Sequence, residues 1–193
     1  MITRRLIGPV LLATYISLSL TRIVSGQEAA SPVSKTRAIK EVRVSSMSGW
    51  YEAVSEEGRY RVLFPRQPQI DDDVVSVKGF RCIEPESNWL ASYTDFARPV
   101  PNDENYLRNA YHGSVEAITK KGNSLLAQRD VFLNGRLGNE FVVGGPALIS
   151  YLRVFVSGSR MYTLSVNRKK TPGTNGQIPG DVQQFFDSFA YWD

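Results

Sequence analysis

Residues 147–167 read ALISYLRVFVSGSRMYTLSVN, and this stretch decides the fold. Two runs rich in β-branched and aromatic residues flank Ser157-Gly158-Ser159, the pattern of a β-hairpin closed by a tight glycine-containing turn. Pairing across that turn places Tyr151, Arg153, Phe155, Tyr162, Leu164 and Val166 on one face and Leu152, Val154, Val156, Met161 and Thr163 on the other. Both faces are largely apolar. A sheet with one wet side alternates between apolar and polar positions, so this hairpin is expected at the centre of a sheet that carries another layer on each side.

The flanking sequence supplies the rest of the sheet and its covers. Just upstream, Ser124 to Leu133 and Arg136 to Val143 surround Asn134-Gly135, a strong hairpin-turn signal. Before them, Pro101-Asn102-Asp103 opens a stretch with Leu107, Ala110, Tyr111, Ser114, Val115 and Ile118 at helical spacing. A capping residue at its start, a basic last turn at Lys120-Lys121 and a stop at Gly122 bound this helix. Gly113 inside it costs about 1 kcal/mol relative to alanine. Further upstream, WYEAVSEEGRYRVLFP (50–65) alternates about Glu56-Glu57-Gly58 as a first hairpin, ended by Pro65 and Pro68. Asp71-Asp72-Asp73 then opens a third strand, Val74 to Glu84, and Trp89 to Phe96 is a fourth, with Trp89, Ala91 and Tyr93 on one side. Downstream, the loop from Lys169 to Gly180 leads to Asp181, read as the cap of a short last helix lined by Val182, Phe185, Phe186 and Phe189. The expectation is an α+β protein: an α/β/α sandwich with a central antiparallel sheet of about six to eight strands, one long helix and one short C-terminal helix. With 193 residues, 42% of them hydrophobic, the chain has material for one core and one domain.

The first 26 residues have the pattern of a secretory signal peptide: Arg4-Arg5, an apolar run from Leu6 to Leu20, and small residues near Gly26. The rival reading is an uncleaved anchor, against which the run falls short of the ~20 apolar residues a spanning helix needs. No cysteine lies near the end of the run to accept a lipid. Residues 27–48, rich in Ser, Ala and charge, read as a flexible tether with at most a short helix or strand in TRAIKEVRV, and residues 49–193 as the folded domain. An exported chain is periplasmic or extracellular. Without Arg4, Arg5 and Arg22 the 23 basic side chains fall to 20 against 19 acidic, which removes the case for nucleic acid.

Chemistry-bearing residues are sparse. His112 is the one histidine and Cys82 the one cysteine, so an internal disulfide is impossible and a transition-metal site finds too few ligands. Cys82 reads as a small buried apolar residue, and a Cys82–His112 nucleophile–base pair has no spacing to support it. Asp71, Asp72 and Asp73 are the weak metal candidates; consecutive residues on an extended strand point to opposite faces, which favours a solvated segment that discourages edge pairing. No catalytic residue and no cofactor is expected. The aromatic residues Trp89, Tyr111 and Tyr162 are the ligand-binding candidates, as walls of an apolar cleft between sheet and helix, with a core role as the alternative.

The order of elements, with Tyr60-Arg61-Val62-Leu63-Phe64-Pro65 in the first hairpin and Phe185-Phe186-Asp187-Ser188-Phe189 at the end, resembles exported bacterial domains of the PsbP/DcrB-like class over residues 49–190. The resemblance implies an α/β/α sandwich with a central antiparallel sheet. It also implies a non-enzymatic accessory or lipoprotein-like module, photosystem assembly factors being the best known of the class. No site motif of that class is present, so no residue role carries over, and the missing lipid-acceptor cysteine departs from many bacterial relatives. The expected function is that of an exported, non-catalytic accessory or interaction domain whose partner is an envelope protein. A carrier of a small apolar ligand is the alternative, and membrane association through an uncleaved N-terminal segment stays open.

Overall fold

The computed structural model describes residues 42–44, 49–74, 77–119, 122–173 and 175–192; the side chains of 42–44, 72–74, 77 and 117 lie outside that description. The signal and anchor readings of residues 1–26, and most of the tether, also lie outside it. Strands β1 (Val42–Val44), β2 (Tyr51–Ser55), β3 (Tyr60–Phe64), β4 (Gln69–Val74), β5 (Val77–Glu84) and β6 (Ser87–Asp95) precede helix α1 (Glu104–Thr119). Strands β7 (Ser124–Leu133), β8 (Arg136–Gly144), β9 (Leu148–Ser157) and β10 (Arg160–Lys169), helix α2 (Gly180–Asp187) and strand β11 (Ala190–Tyr191) follow. The main sheet has seven antiparallel strands in the order β4-β5-β6-β10-β9-β8-β7, and a smaller sheet runs β1-β2-β3-β11.

The β9–β10 hairpin is central, as its two apolar faces require. Tyr162 faces Phe155 and Val166 faces Tyr151 in one row, while Met161 faces Val156 and Thr163 faces Val154 in the other. Tyr151, Phe155, Tyr162, Leu164 and Val166 join a core with Val182, Phe185, Phe186 and Phe189. Leu152, Val154, Val156 and Met161 join a second core with Leu107, Ala110, Tyr111, Val115 and Ile118 of α1. One sheet therefore separates two cores, each excluding water from the opposite side of the same strands. Gly158 turns the hairpin at φ 58, and Asn134 and Gly135 turn β7 into β8 at φ 52 and 72, the left-handed pair that matches strand twist.

Helix α1 begins where Asp103 Oδ1 accepts the Tyr106 amide at 2.7 Å. It ends at Thr119, and the basic turn expected at Lys120-Lys121 lies outside the described residues. Its apolar stripe covers β8 and β9. The opposite face is not covered by a helix alone: α2 shares it with the small sheet, whose Ala53, Tyr60, Val62, Phe64 and Tyr191 enter the core beside Phe185.

Four details differ from the sequence reading. Val42–Val44, within the TRAIKEVRV part of the tether where the sequence allows a short helix or strand, pairs with β2, so the sheet begins before residue 49, the expected start of the folded domain. The third strand is two: Asp71-Asp72-Asp73 does not precede it but lies within β4, the edge strand, which pairs with β5. The residue at the start of α2 is Pro179, which offers no side-chain cap, and Asp181 sits in the first turn instead. Proline serves there because its missing N–H is one the first turn leaves unpaired anyway. Phe189 lies beyond the helix, which ends at Asp187.

Gly79 marks the tightest strand contact. A Cβ there would lie 2.1 Å from the Ala91 carbonyl oxygen and 2.7 Å from Ser92 Cα, both backbone atoms of β6. Gly79→Ala must push β5 away from β6 and is expected to cost about 1–3 kcal/mol, read as a lowered urea midpoint. An unchanged midpoint would show that the strands have slack.

Candidate functional site

The residues proposed from sequence as a ligand cleft do not converge. Tyr111 is completely buried in the α1-side core, with its hydroxyl donating to the Leu137 carbonyl at 3.3 Å. Trp89 and Tyr162 are 1% and 3% exposed in the core on the other side of the sheet. Their surfaces are spent on protein. Tyr162 stacks on Tyr191 with ring centres 5.0 Å apart, and Trp89 meets Phe185 edge-on at 5.4 Å. Asp71 pairs with Arg81 at 2.7 Å, which neutralises it; the side chains of Asp72 and Asp73 lie outside the described residues.

Cys82 and His112 are also apart. Cys82 is 2% exposed within the α2-side core, and burial pushes its thiol up, against a weaker opposing hydrogen bond from the Arg66 backbone. His112 is exposed on α1, across the sheet, with Nδ1 3.8 Å from Glu116. No nucleophile–base pair forms between them. Cys82 is accordingly expected to react with a thiol reagent only when the core opens. An opening free energy of about 3 kcal/mol slows labelling about 100-fold relative to the unfolded chain. Labelling at the unfolded rate under native conditions would contradict the sealed placement.

What the fold does assemble is a polar ladder under α2. Arg129, Glu140 and Arg153 stand side by side on β7, β8 and β9, in register. Glu140 is 2% exposed and accepts from Arg153 Nε at 2.9 Å, from Arg153 Nη2 at 2.6 Å, and from Arg129 Nε. Arg153 Nη1 donates to Asp187 Oδ1 of α2 at 2.9 Å, and its guanidinium lies 4.8 Å from the Phe186 ring centre. Gln183 closes the set, donating to Asp187 at 2.8 Å and accepting from Arg129 at 3.2 Å. Two cations meet two anions, so the group fastens the helix to the sheet and keeps no charge to offer. The sequence carried a signal for it, since Glu140 interrupts an apolar run and Arg153 shares a face with Tyr151 and Phe155.

Beside this ladder lie two grooves separated by the loop through Gln177 and Ile178, which borders both. The larger, about 580 Å³, sits at the open end of the central hairpin over Ile149, Tyr151, Ile178 and Pro179. Arg168 forms one wall: its guanidinium covers the Trp89 ring at 5.1 Å and donates to the Asp181 carboxylate. Trp89 Nε1 in turn donates to Glu84 at 2.8 Å and Ser87 at 2.9 Å. Burial raises the Glu84 carboxyl, but hydrogen bonds from Ser87 and Trp89 and the Arg66 cation outweigh it and hold the group below the usual carboxylate range. The second groove, about 380 Å³, runs along Ala127, Phe141 and Val142. Ile178 gives both grooves an apolar wall, with Pro179 in the larger and Ala127 in the second, and amide side chains and paired charges line the rims; the floor residues Ile149, Tyr151, Phe141 and Val142 are themselves buried. Among the described residues no three His, Cys, Asp or Glu side chains gather as a metal site. Among the same residues no helix is long and apolar enough to cross a membrane.

No family model and no curated protein matches the sequence. Among solved structures, the solution structure of cyanobacterial PsbP (CyanoP) from Synechocystis is similar at a TM-score of 0.53 and 9% identity, covering 84% of this chain and 100% of that one. A crystal structure from Bacteroides thetaiotaomicron gives a TM-score of 0.39 and 11% identity, over 74% of this chain and 48% of that one. The fold is PsbP-like.

Proposed function

We propose that this chain is an exported, non-catalytic accessory domain of the PsbP/DcrB-like class that docks an envelope partner through the paired grooves beside the Gln177–Ile178 loop. The observation that carries this reading is the placement of the reactive groups. Cys82 is sealed in one core, His112 stands exposed across the sheet, and the buried ions close on one another, so among the described residues these groups do not gather to move a proton or attack a bond. The PsbP-like fold supports the accessory role, and the basic, apolar and small-residue order of residues 1–26 supports export.

The test fractionates bacterial cells making the full chain and weighs the recovered protein. Recovery outside the cytoplasm at the mass of residues 27–193 supports export; full-length protein in the cytoplasm overturns it, and full-length protein in the membrane fraction points to the uncleaved anchor. Turnover by the purified protein in a broad hydrolase panel, abolished by C82A or H112A, would overturn the non-catalytic role.

A further inference from the structure

At the other end of the central hairpin, five segments distant in sequence enclose a polar depression of about 390 Å³. They are the β2–β3 turn, the end of β6, the start of β8, the β9–β10 turn and the residue after β11. Three arginines line it: Arg59, Arg136 and Arg160. Arg160 is spent, since Nε and Nη2 hold Asp95 at 2.6 and 2.9 Å, Nη1 holds the Glu57 carbonyl at 2.8 Å, and its plane lies 4.4 Å from the Tyr93 ring centre. The Glu57 carboxylate is engaged by Lys78. Arg59 and Arg136 make no ion pair and no side-chain hydrogen bond among the described residues. Both acids of the depression are therefore neutralised while two guanidinium groups are not.

The backbone of Arg59 gives a second reason to ask what its side chain is for. Arg59 sits at φ 53, a left-handed position that glycine or asparagine fills without penalty. The turn's own glycine cannot take that position, because a Cβ on Gly58 would lie 2.6 Å from Ser55 Oγ and 2.7 Å from the Tyr60 and Tyr93 rings. Gly58 serves close packing, and an arginine bears the strain beside it. Residues strained in this way cluster at binding and active sites.

We propose that the depression binds a tetrahedral oxyanion, phosphate or sulfate, carried on a small organic molecule, with Arg59 and Arg136 as its ligands. The guanidinium fork matches such an anion with paired N–H donors, and two forks suit a group with three or four oxygens better than one carboxylate. The volume exceeds what the bare anion needs and falls in the range of small-molecule sites. Trp192, 38% exposed, lines the depression and is the exposed aromatic side chain there for the organic part to contact. This site lies apart from the docking grooves, and its test is independent of theirs.

The experiment titrates the protein with inorganic phosphate, sulfate and phenyl phosphate at low salt, by calorimetry and by tryptophan emission. Saturable binding is expected, with phenyl phosphate tighter than inorganic phosphate and only the former weakened by W192A. Each of R59G and R136A is expected to weaken binding about tenfold or more. R59G also relieves the left-handed strain, so it should unfold no earlier than the parent, which keeps loss of binding distinct from loss of fold. Asp193 follows Trp192 in the sequence, and D193N run in parallel removes its carboxylate as a competitor. No saturation by phosphate or phenyl phosphate in the ~10 mM range, in parent and D193N alike, overturns the proposal. Binding undiminished in the R59G/R136A double variant does the same.

Discussion

Glu140→Ala is expected to destabilise the protein by about 3–5 kcal/mol, a large part of the total a domain of this kind holds. The reason is the charge left behind. Arg153 has a side chain only 8% exposed and would lose the acceptor of two of its N–H groups, keeping Asp187, itself 58% exposed, as its one carboxylate. A buried cation that loses its buried partner is not rehydrated cheaply. Glu140→Gln keeps an acceptor but no charge and should fall between parent and alanine. Arg129→Ala removes the 58% exposed member and should cost no more than about 1 kcal/mol. Replacing Glu140 and Arg153 together by methionine removes both charges and should approach neutrality, since paired apolar side chains of similar volume often substitute for a buried ion pair without loss. Urea denaturation of the four variants decides the matter. A Glu140→Ala cost below about 1 kcal/mol would mean that water reaches Arg153 and that the ladder is a surface feature.

The same residues show what a single sequence carries and what it does not. Turn chemistry is local, so the hairpins at Asn134-Gly135 and Gly158 were legible, and strict alternation from Tyr151 to Val166 sorted side chains onto the faces they occupy. The helix from 104 to 119 was legible for the same reason. Pairings that depend on distant partners were not. Strand β10 finds β6 across the whole α1 excursion, and β11, two residues long, has no periodicity and exists because Ala190 and Tyr191 reach Arg61 and Tyr60 on β3. The first hairpin was legible, but that it leaves the main sheet to form a second, smaller one beside α2 left no local trace. The ladder failed to appear for a related reason: Arg153 was placed on the correct face, but whether a charge there meets Glu140 or an apolar residue depends on the register of β8 against β9. Aromatic residues were ambiguous from the start, because core and ligand wall demand the same side chains, and burial separates them only once the fold is known.

Trp89 is where that ambiguity has the largest measurable consequence. As a ligand wall its loss would leave stability nearly intact and abolish binding; as a core residue its loss must open a cavity. The ring is 1% exposed, meets Phe185 at 5.4 Å and Trp50 at 6.0 Å, and lies under the Arg168 guanidinium. Trp89→Ala is therefore expected to cost about 3–5 kcal/mol. Trp89→Phe retains most of the volume but removes the Nε1 donor to Glu84 and Ser87, and should cost less. Acid sensitivity supplies a second readout. Because the Glu84 carboxyl is held below its unfolded value, it adds stability that is present above the ordinary carboxylate range near pH 4 and is lost as pH falls through the lower folded value. Removing the Trp89 donor moves the folded value toward the unfolded one while Ser87 and Arg66 still hold it down, so the slope of stability against pH below about 4 should flatten in part in Trp89→Phe and further in Glu84→Gln. A Trp89→Ala variant that unfolds within about 1 kcal/mol of the parent would place the indole on a surface free to hold a ligand, and would restore the carrier reading that the burial of Trp89, Tyr111 and Tyr162 opposes.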